Sequence, residues 1–169
     1  MRGALGLAFL LITIPAQGHD HSRCVVDARD REVCLHNAAR RIATLSPGAT
    51  ELTWAAGAGD QVVAVVSYSD YPPQAQEVAS VGSHTRIDLE ALVGLAPDLV
   101  IGWVTGNPAE QMETLEALGM PVFYIEPRSV EDVAHTIERL ARLAGTEPTG
   151  RQAASEFRDG MAALTARYR

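Results

Sequence analysis

The chain contains no lysine, so its 14 basic residues are all arginines, and 21 acidic residues bring the formal net charge to -7. Nucleic acids and anionic membranes favour clustered basic residues, so this balance argues against either as the main partner. Beyond residue 18 there is also no apolar run near the ~20 residues that cross a bilayer. The remaining length suits one ordinary globular domain.

The residue sets that catalysis requires are also missing. Ser46 precedes a proline and lacks the glycines of a nucleophile elbow. His84 has no obvious aspartate or cysteine partner in the sequence, and no phosphate-binding glycine loop is present. Because no nucleophile, base or metal cluster is assembled, the sequence predicts a binding protein and not an enzyme.

The amino terminus has the layout of a secretory signal peptide. Arg2 precedes an apolar run over residues 4–14, and small residues follow up to Gly18. Cleavage after Gly18 is predicted, with an uncleaved anchor as the alternative, and it removes the charge of Arg2, so the net charge moves from -7 to -8. The new amino terminus would carry His19 and His21, which could chelate Cu(II) or Ni(II), although a flexible tail is the common case.

Both cysteines, Cys24 and Cys34, lie in the part predicted to be exported. In an oxidising compartment they are expected to form one disulfide. Short strands at 25–27 and 32–33, around a polar turn, would place them opposite one another. A metal site shared with His19, His21 or His36 is the alternative, but the spacing of a four-ligand site is absent.

From residue 41 onward, short β-branched runs alternate with longer helical patterns. Strands are predicted at 42–45, 61–66, 98–103 and 121–125. Helices are predicted at 49–56, 88–95, 109–118 and 130–143. Strands separated by helices of this length predict an α/β fold with a doubly wound, mainly parallel, Rossmann-like sheet.

The last segment, residues 149–169, predicts a long amphipathic helix with Ala153, Phe157, Met161 and Leu164 at helical spacing. Such a helix either lies on the sheet or begins a connection to a further part. An uncovered apolar side would allow self-association.

Ligands of an open parallel sheet bind outside the carboxyl ends of its strands. The segments that follow the predicted strands, at 46–51, 67–73, 82–86 and 102–107, are rich in aromatic, small and hydroxylic residues. This content suits a broad, flat ligand. Tyr68 and Trp103 each come directly after a strand, so the same sheet edge should gather them, although each alone could equally be a packing residue.

Three runs, RIATLSPGATEL at 41–52, SYSDYPPQA at 67–75 and PDLVI at 97–101, together with DLE at 88–90, resemble the periplasmic proteins that bind iron siderophores and vitamin B12. The resemblance covers residues 40–169. It implies two Rossmann-like lobes joined by a long backbone helix, with the ligand between them. Here it implies a tail and hairpin at 19–40, the amino-terminal lobe at 41–147, and the start of the backbone helix at 148–169.

The same resemblance implies the site residues. Tyr68 and Trp103 match aromatic residues that line the ligand cleft, and the turn Pro47-Gly48-Ala49 matches a stretch that lies against the ligand. Glu90 matches the acidic residue that docks onto arginines of the transmembrane subunit of an ABC importer. These matches predict that the chain is a solute-binding protein that delivers its ligand to that importer.

His84 departs from the pattern, because cobalamin-binding members of the family have a tryptophan at its position. An imidazole in the cleft could coordinate cobalt or haem iron, or could hydrogen-bond a ligand amide. The expected ligand is cobalamin or a related corrinoid, and no cofactor of the protein's own is expected. Haem, a ferric siderophore, or a truncated interaction module without transport remain as alternatives.

Overall fold

The computed structural model describes residues 22–168, so the predicted signal peptide and the possible chelating residues His19 and His21 lie outside the described part. An antiparallel hairpin of β1 (Arg23–Val26) and β2 (Glu32–Leu35) opens this part, and Cys24 pairs directly with Cys34 in its register. The two cysteines form the predicted disulfide. With both sulfur atoms bonded to each other, neither is available to a metal site.

Strands and helices then alternate along the chain. In order, the remaining elements are β3 (Ile42–Thr44), α1 (Pro47–Ala55), β4 (Val62–Ala64), β5 (Gly82–Ser83), β6 (Arg86–Ile87), α2 (Leu89–Gly94), β7 (Leu99–Trp103), α3 (Ala109–Ala117), β8 (Val122–Ile125), α4 (Val130–Ala144) and α5 (Glu147–Tyr168). None of the helices within residues 22–168 is long and apolar enough to cross a membrane.

Four parallel strands form the central sheet in the order β4-β3-β7-β8. Successive strand residues face opposite sides, because side chains alternate along a strand. Leu99 and Ile101 therefore pack on the layer that contains α1, α4 and α5, whereas Val100 packs on the layer that contains α2 and α3. Helices on both faces of a parallel sheet confirm the predicted doubly wound α/β fold.

The order of the strands positions the site. Strand β4 lies beside β3 and strand β8 lies beside β7, at opposite edges of the sheet. The connection that leaves β3 and the connection that leaves β7 therefore run in opposite directions. At such a switch point a crevice opens outside the carboxyl ends of the two central strands. The crevice is expected between the residues after β3 and the residues after β7.

The long last helix packs on α4 over its first half. Gly150 and Ala154 are buried, and a Cβ atom on Gly150 would collide with Ala141, so the two helices approach closely there. Arg158 adds ion pairs to Glu131 and to Glu138 of α4. From residue 162 to residue 168 every side chain is exposed. The helix therefore begins as a surface helix and then extends beyond the layer that it covers.

Two details differ from the sequence-based expectation. The predicted strand at 61–66 is shorter, because Gly59–Gln61 forms a 3-10 turn and Val65 makes only an isolated bridge, with Ser80. In addition, the short hairpin of β5 and β6 was not predicted at all. Its turn carries His84 toward the carboxyl edge of the sheet.

Candidate ligand-binding cleft

A cleft of about 560 Å³ opens at this carboxyl edge. Its lining residues are Ser46, Pro47, Gly48, Leu52, Tyr68, His84, Trp103, Ile125, Glu126 and Pro127. Five residues predicted to bind the ligand are thus brought together around one opening, and these are Pro47, Gly48, Tyr68, His84 and Trp103. Their roles in binding stay predictions.

Ala49, the sixth predicted contact, does not line the cleft. Its side chain is completely buried against the sheet, and its backbone N–H donates to the Ser46 hydroxyl at 3.1 Å as the cap of α1. Gly48, one residue earlier, faces the other way, because a Cβ atom added to it would meet nothing within 4 Å. The rotation of about 100° per helical residue accounts for this difference.

Tyr68 is held by the residues on either side of it. The backbone N–H and the hydroxyl of Ser67 both donate to the carbonyl of Gly82, at 2.7 and 2.8 Å. On the other side, the Thr50 hydroxyl donates to the Ser69 hydroxyl at 3.1 Å. Between these anchors Tyr68 adopts φ +69° and is 79% exposed. The loop is therefore fixed to the fold while the phenol ring stands open to the cleft.

Trp103 and His84 form a second aromatic wall. Their ring centroids are 5.9 Å apart and the planes are tilted by 43°. The indole ring lies directly over Gly106, where a Cβ atom would overlap it. No hydrogen bond within residues 22–168 engages a ring nitrogen of His84, which leaves the imidazole nitrogens available to a ligand.

The single carboxylate in the lining is already occupied. Glu126 accepts hydrogen bonds from the backbone N–H of Thr105 at 3.1 Å and from its hydroxyl at 3.0 and 3.1 Å. Arg128 lies 3.7 Å from the same carboxylate. With the charge of Glu126 partnered in this way, the wall that faces a ligand is mainly apolar and aromatic.

One residue beneath the cleft was missed by sequence reasoning. Asn107 is 8% exposed, and its side-chain amide bonds to the backbone of three separate segments that reach the cleft. A polar residue between a glycine and a proline has the sequence signature of an ordinary turn. Nothing local distinguishes it from one.

The predicted docking residue, Glu90, lies in the first turn of α2 and is exposed. It makes no ion pair among the described residues and does not belong to the cleft lining. Asp88 caps the same helix, accepting from the backbone N–H of Ala91 at 3.0 Å. Glu90 is therefore free for an external partner, and its docking role stays a prediction.

Residues 42–169 match the periplasmic binding protein family. The vitamin B12-binding protein of Vibrio parahaemolyticus is 42% identical over 128 residues, which are 76% of this chain and 46% of that protein. The vitamin B12-binding protein of Yersinia pseudotuberculosis is 37% identical over 167 residues, which are 99% of this chain and 52% of that protein. The chain thus spans about half the length of the curated relatives it matches.

Solved structures agree with this assignment. The periplasmic vitamin B12-binding protein of Vibrio cholerae superposes with a TM-score of 0.73 at 40% identity, over 77% of this chain and 51% of that one. A periplasmic haem-binding protein of Pseudomonas aeruginosa, at 21% identity, shares the fold, with a TM-score of 0.71 over 76% of this chain and 46% of that one. The parallel sheet, the cleft at its carboxyl edge and the family match together establish that the chain belongs to the periplasmic binding protein family.

Proposed function

We propose that this chain binds cobalamin or a related corrinoid in the cleft between Tyr68 and Trp103, as part of the solute-binding component of an ABC importer. The observation that carries the proposal is the gathering of three rings around an open cleft at the switch point of the sheet, where Tyr68 is exposed and His84 and Trp103 are half-buried. A large, nearly flat macrocycle presents the kind of face that such rings cover. Relatives named for vitamin B12 binding support this ligand class.

Binding without chemistry fits the same geometry. Ser46 is the only hydroxyl nucleophile among the lining residues other than the phenol of Tyr68, and its oxygen is engaged as the cap of α1. Glu126 is held by Thr105. Neither residue is paired with His84, so the cleft has no nucleophile with a base beside it.

Equilibrium dialysis of the chain from His19 onward against cyanocobalamin tests the ligand directly. Because a single lobe covers one face of the ligand only, we expect a Kd on the order of micromolar to millimolar. Trp103→Ala should weaken this binding further. An absence of binding at millimolar cyanocobalamin would contradict the proposal for this chain.

Haem is the second candidate, and His84 is the observation that favours it. An imidazole with unengaged nitrogens in an aromatic cleft is a common axial ligand of haem iron. Adding haem to the protein should then shift its Soret band, and His84→Ala should abolish the shift. A protein that binds cyanocobalamin and leaves the haem spectrum unchanged would exclude this alternative.

Delivery to a membrane permease is the partner side of the proposal. The exposed carboxylate of Glu90, which forms no ion pair with residues 22–168, supports a contact with a basic surface. Glu90→Gln should weaken binding to reconstituted importer and leave cyanocobalamin affinity unchanged. Glu113→Gln, an exposed glutamate of α3, is the matched control.

Export through cleavage after Gly18 is checked by the mass of the secreted protein.

A further inference from the structure

We infer that Asn107 is a positioning residue of the cleft: its buried amide joins three of the segments that carry the cleft walls and sets the placement of His84 relative to Trp103. The inference rests on the proposed function, because it concerns the same cleft. Asn107 itself does not line the cleft and is 8% exposed, so it acts on a ligand only through other residues.

The three hydrogen bonds of this amide reach three different parts of the chain. Its oxygen accepts from the backbone N–H of Trp103 at 2.6 Å. Its nitrogen donates to the carbonyl of Leu45 at 2.8 Å and to the carbonyl of His84 at 3.0 Å. Leu45 leads directly into Ser46 and the start of α1. Each bonded segment therefore places at least one residue in the cleft lining.

The bond to His84 holds the tip of the hairpin, whereas Ser67 holds Gly82 at its start and Gln111 holds Ile87 at its end. Strands β5 and β6 contain two residues each, so their own ladder is short. The turn between them carries His84, whose ring lies 5.9 Å from that of Trp103. Asn107 bonds to the backbone of both residues, which couples the two rings through one rigid amide.

Only a primary amide fulfils this role. It offers an acceptor and two donor hydrogens on one planar group, which matches one N–H and two carbonyls. Aspartate would keep the bond to Trp103 but would turn a carboxylate oxygen toward the two carbonyls. Alanine would leave all three backbone groups without the amide, and unpaired buried groups are costly.

Gln111 supplies a matched control. Its side-chain amide accepts from the N–H of Ile87 at 2.9 Å and donates to the carbonyl of Ile87 at 2.7 Å. Gln111 thus links α3 to β6, much as Asn107 links β7 to the turn before β6. Unlike Asn107, Gln111 bonds to no residue of the cleft lining. Loss of Gln111 should lower stability without altering the cleft.

The test compares Asn107→Ala and Asn107→Asp with Gln111→Ala, using cyanocobalamin affinity and the thermal midpoint. We expect both Asn107 variants to bind about tenfold more weakly, a change of about 1.4 kcal/mol, and Gln111→Ala to bind as the parent does. In a Trp103→Ala background the Asn107→Ala effect should shrink. Equal losses for Asn107 and Gln111 variants, or unchanged losses without Trp103, would overturn the positioning role.

Measurements without ligand separate this inference from the proposed function. By NMR, Asn107→Asp should shift the imidazole signals of His84 in the free protein, whereas Gln111→Ala should not. In the unmodified protein, the side-chain amide protons of Asn107 should exchange slowly with solvent. Fast exchange would contradict the positioning role even if no variant folds. Failure of the unmodified protein to bind cyanocobalamin would instead contradict the ligand.

Discussion

Replacing Tyr68 by alanine removes the most exposed ring of the cleft while leaving its scaffold in place. Ser67 and Ser69 keep their bonds to Gly82 and Thr50, because these bonds involve neither the ring nor the backbone of Tyr68. Alanine retains the Cβ atom, so the strain of the left-handed backbone at φ +69° is unchanged. The substitution therefore tests ligand contact and leaves the fold intact.

The magnitude follows from the exposed area. An aromatic side chain presents ~200 Å² when fully exposed, and Tyr68 is 79% exposed. A flat ligand that covers one face of the ring removes about half of the exposed area, or ~80 Å², from water. At ~25 cal/mol per Å² this is about 2 kcal/mol, which corresponds to a loss of affinity of about 30-fold.

The assay is titration of the unmodified protein and the variant with cyanocobalamin. Tyr71→Ala is the control, because Tyr71 lies three residues further along the same loop, is 66% exposed, and does not line the cleft. We expect unchanged affinity for Tyr71→Ala. If the two variants lost equal affinity, or if Tyr68→Ala bound normally, the assignment of the ligand to this cleft would be refuted.

Three further predictions concern the wall, the hairpin and acid stability. Gly106→Ala places a methyl group in the space of the Trp103 indole and should weaken cyanocobalamin binding about tenfold through overpacking. The control is Gly94→Ala, whose methyl group meets nothing within 4 Å, and its titration with cyanocobalamin should give an unchanged affinity. Replacing both Cys24 and Cys34 by serine should lower the free energy of unfolding in urea by about 2.5 kcal/mol, as expected for a short closed loop. Neither cysteine lines the cleft, so weaker cyanocobalamin binding by the folded variant would contradict this prediction. Hydrogen bonds from Ser129 and from the N–H of Arg128 hold the pKa of Asp132 below its ordinary value of 3.8. The contribution of Asp132 to stability is therefore present above about pH 4 and is lost as the pH falls through the lowered pKa. Between neutral pH and this acidic range, the urea midpoint of Asp132→Asn should fall less than that of the parent.

The main elements of the fold could be predicted from the sequence because their signals are local. The four strands of the central sheet are β-branched runs separated by helical patterns, and their predicted ends lie within a few residues of the observed ones. The hairpin around His84 could not be predicted in this way. Its strands have two residues each, too few for an alternating pattern to show.

The position of the cleft could be predicted because it depends on the topology of the sheet. Tyr68 lies in the loop after β4 and Trp103 is the last residue of β7, so the rule that ligands bind at the carboxyl edge of a parallel sheet predicts that both lie at one site. Ala49 shows the limit of a resemblance between short runs. It shares a turn with Gly48, yet the rotation of α1 directs its methyl group into the core.

The contacts of Asn107 cannot be predicted from local sequence patterns, since its partners Leu45 and His84 are 62 and 23 residues away. Topology does supply part of the answer. The carboxyl ends of β3 and β7 are neighbours in the sheet, so backbone carbonyls that leave the ladder there need a donor. Under the proposed function, the rings of Tyr68, His84 and Trp103 contact the ligand, and the buried amide of Asn107 positions the latter two. Removing the Tyr68 ring should therefore lower the affinity for cyanocobalamin without shifting the NMR signals of the His84 imidazole. Changing Asn107 should alter both the affinity and these signals.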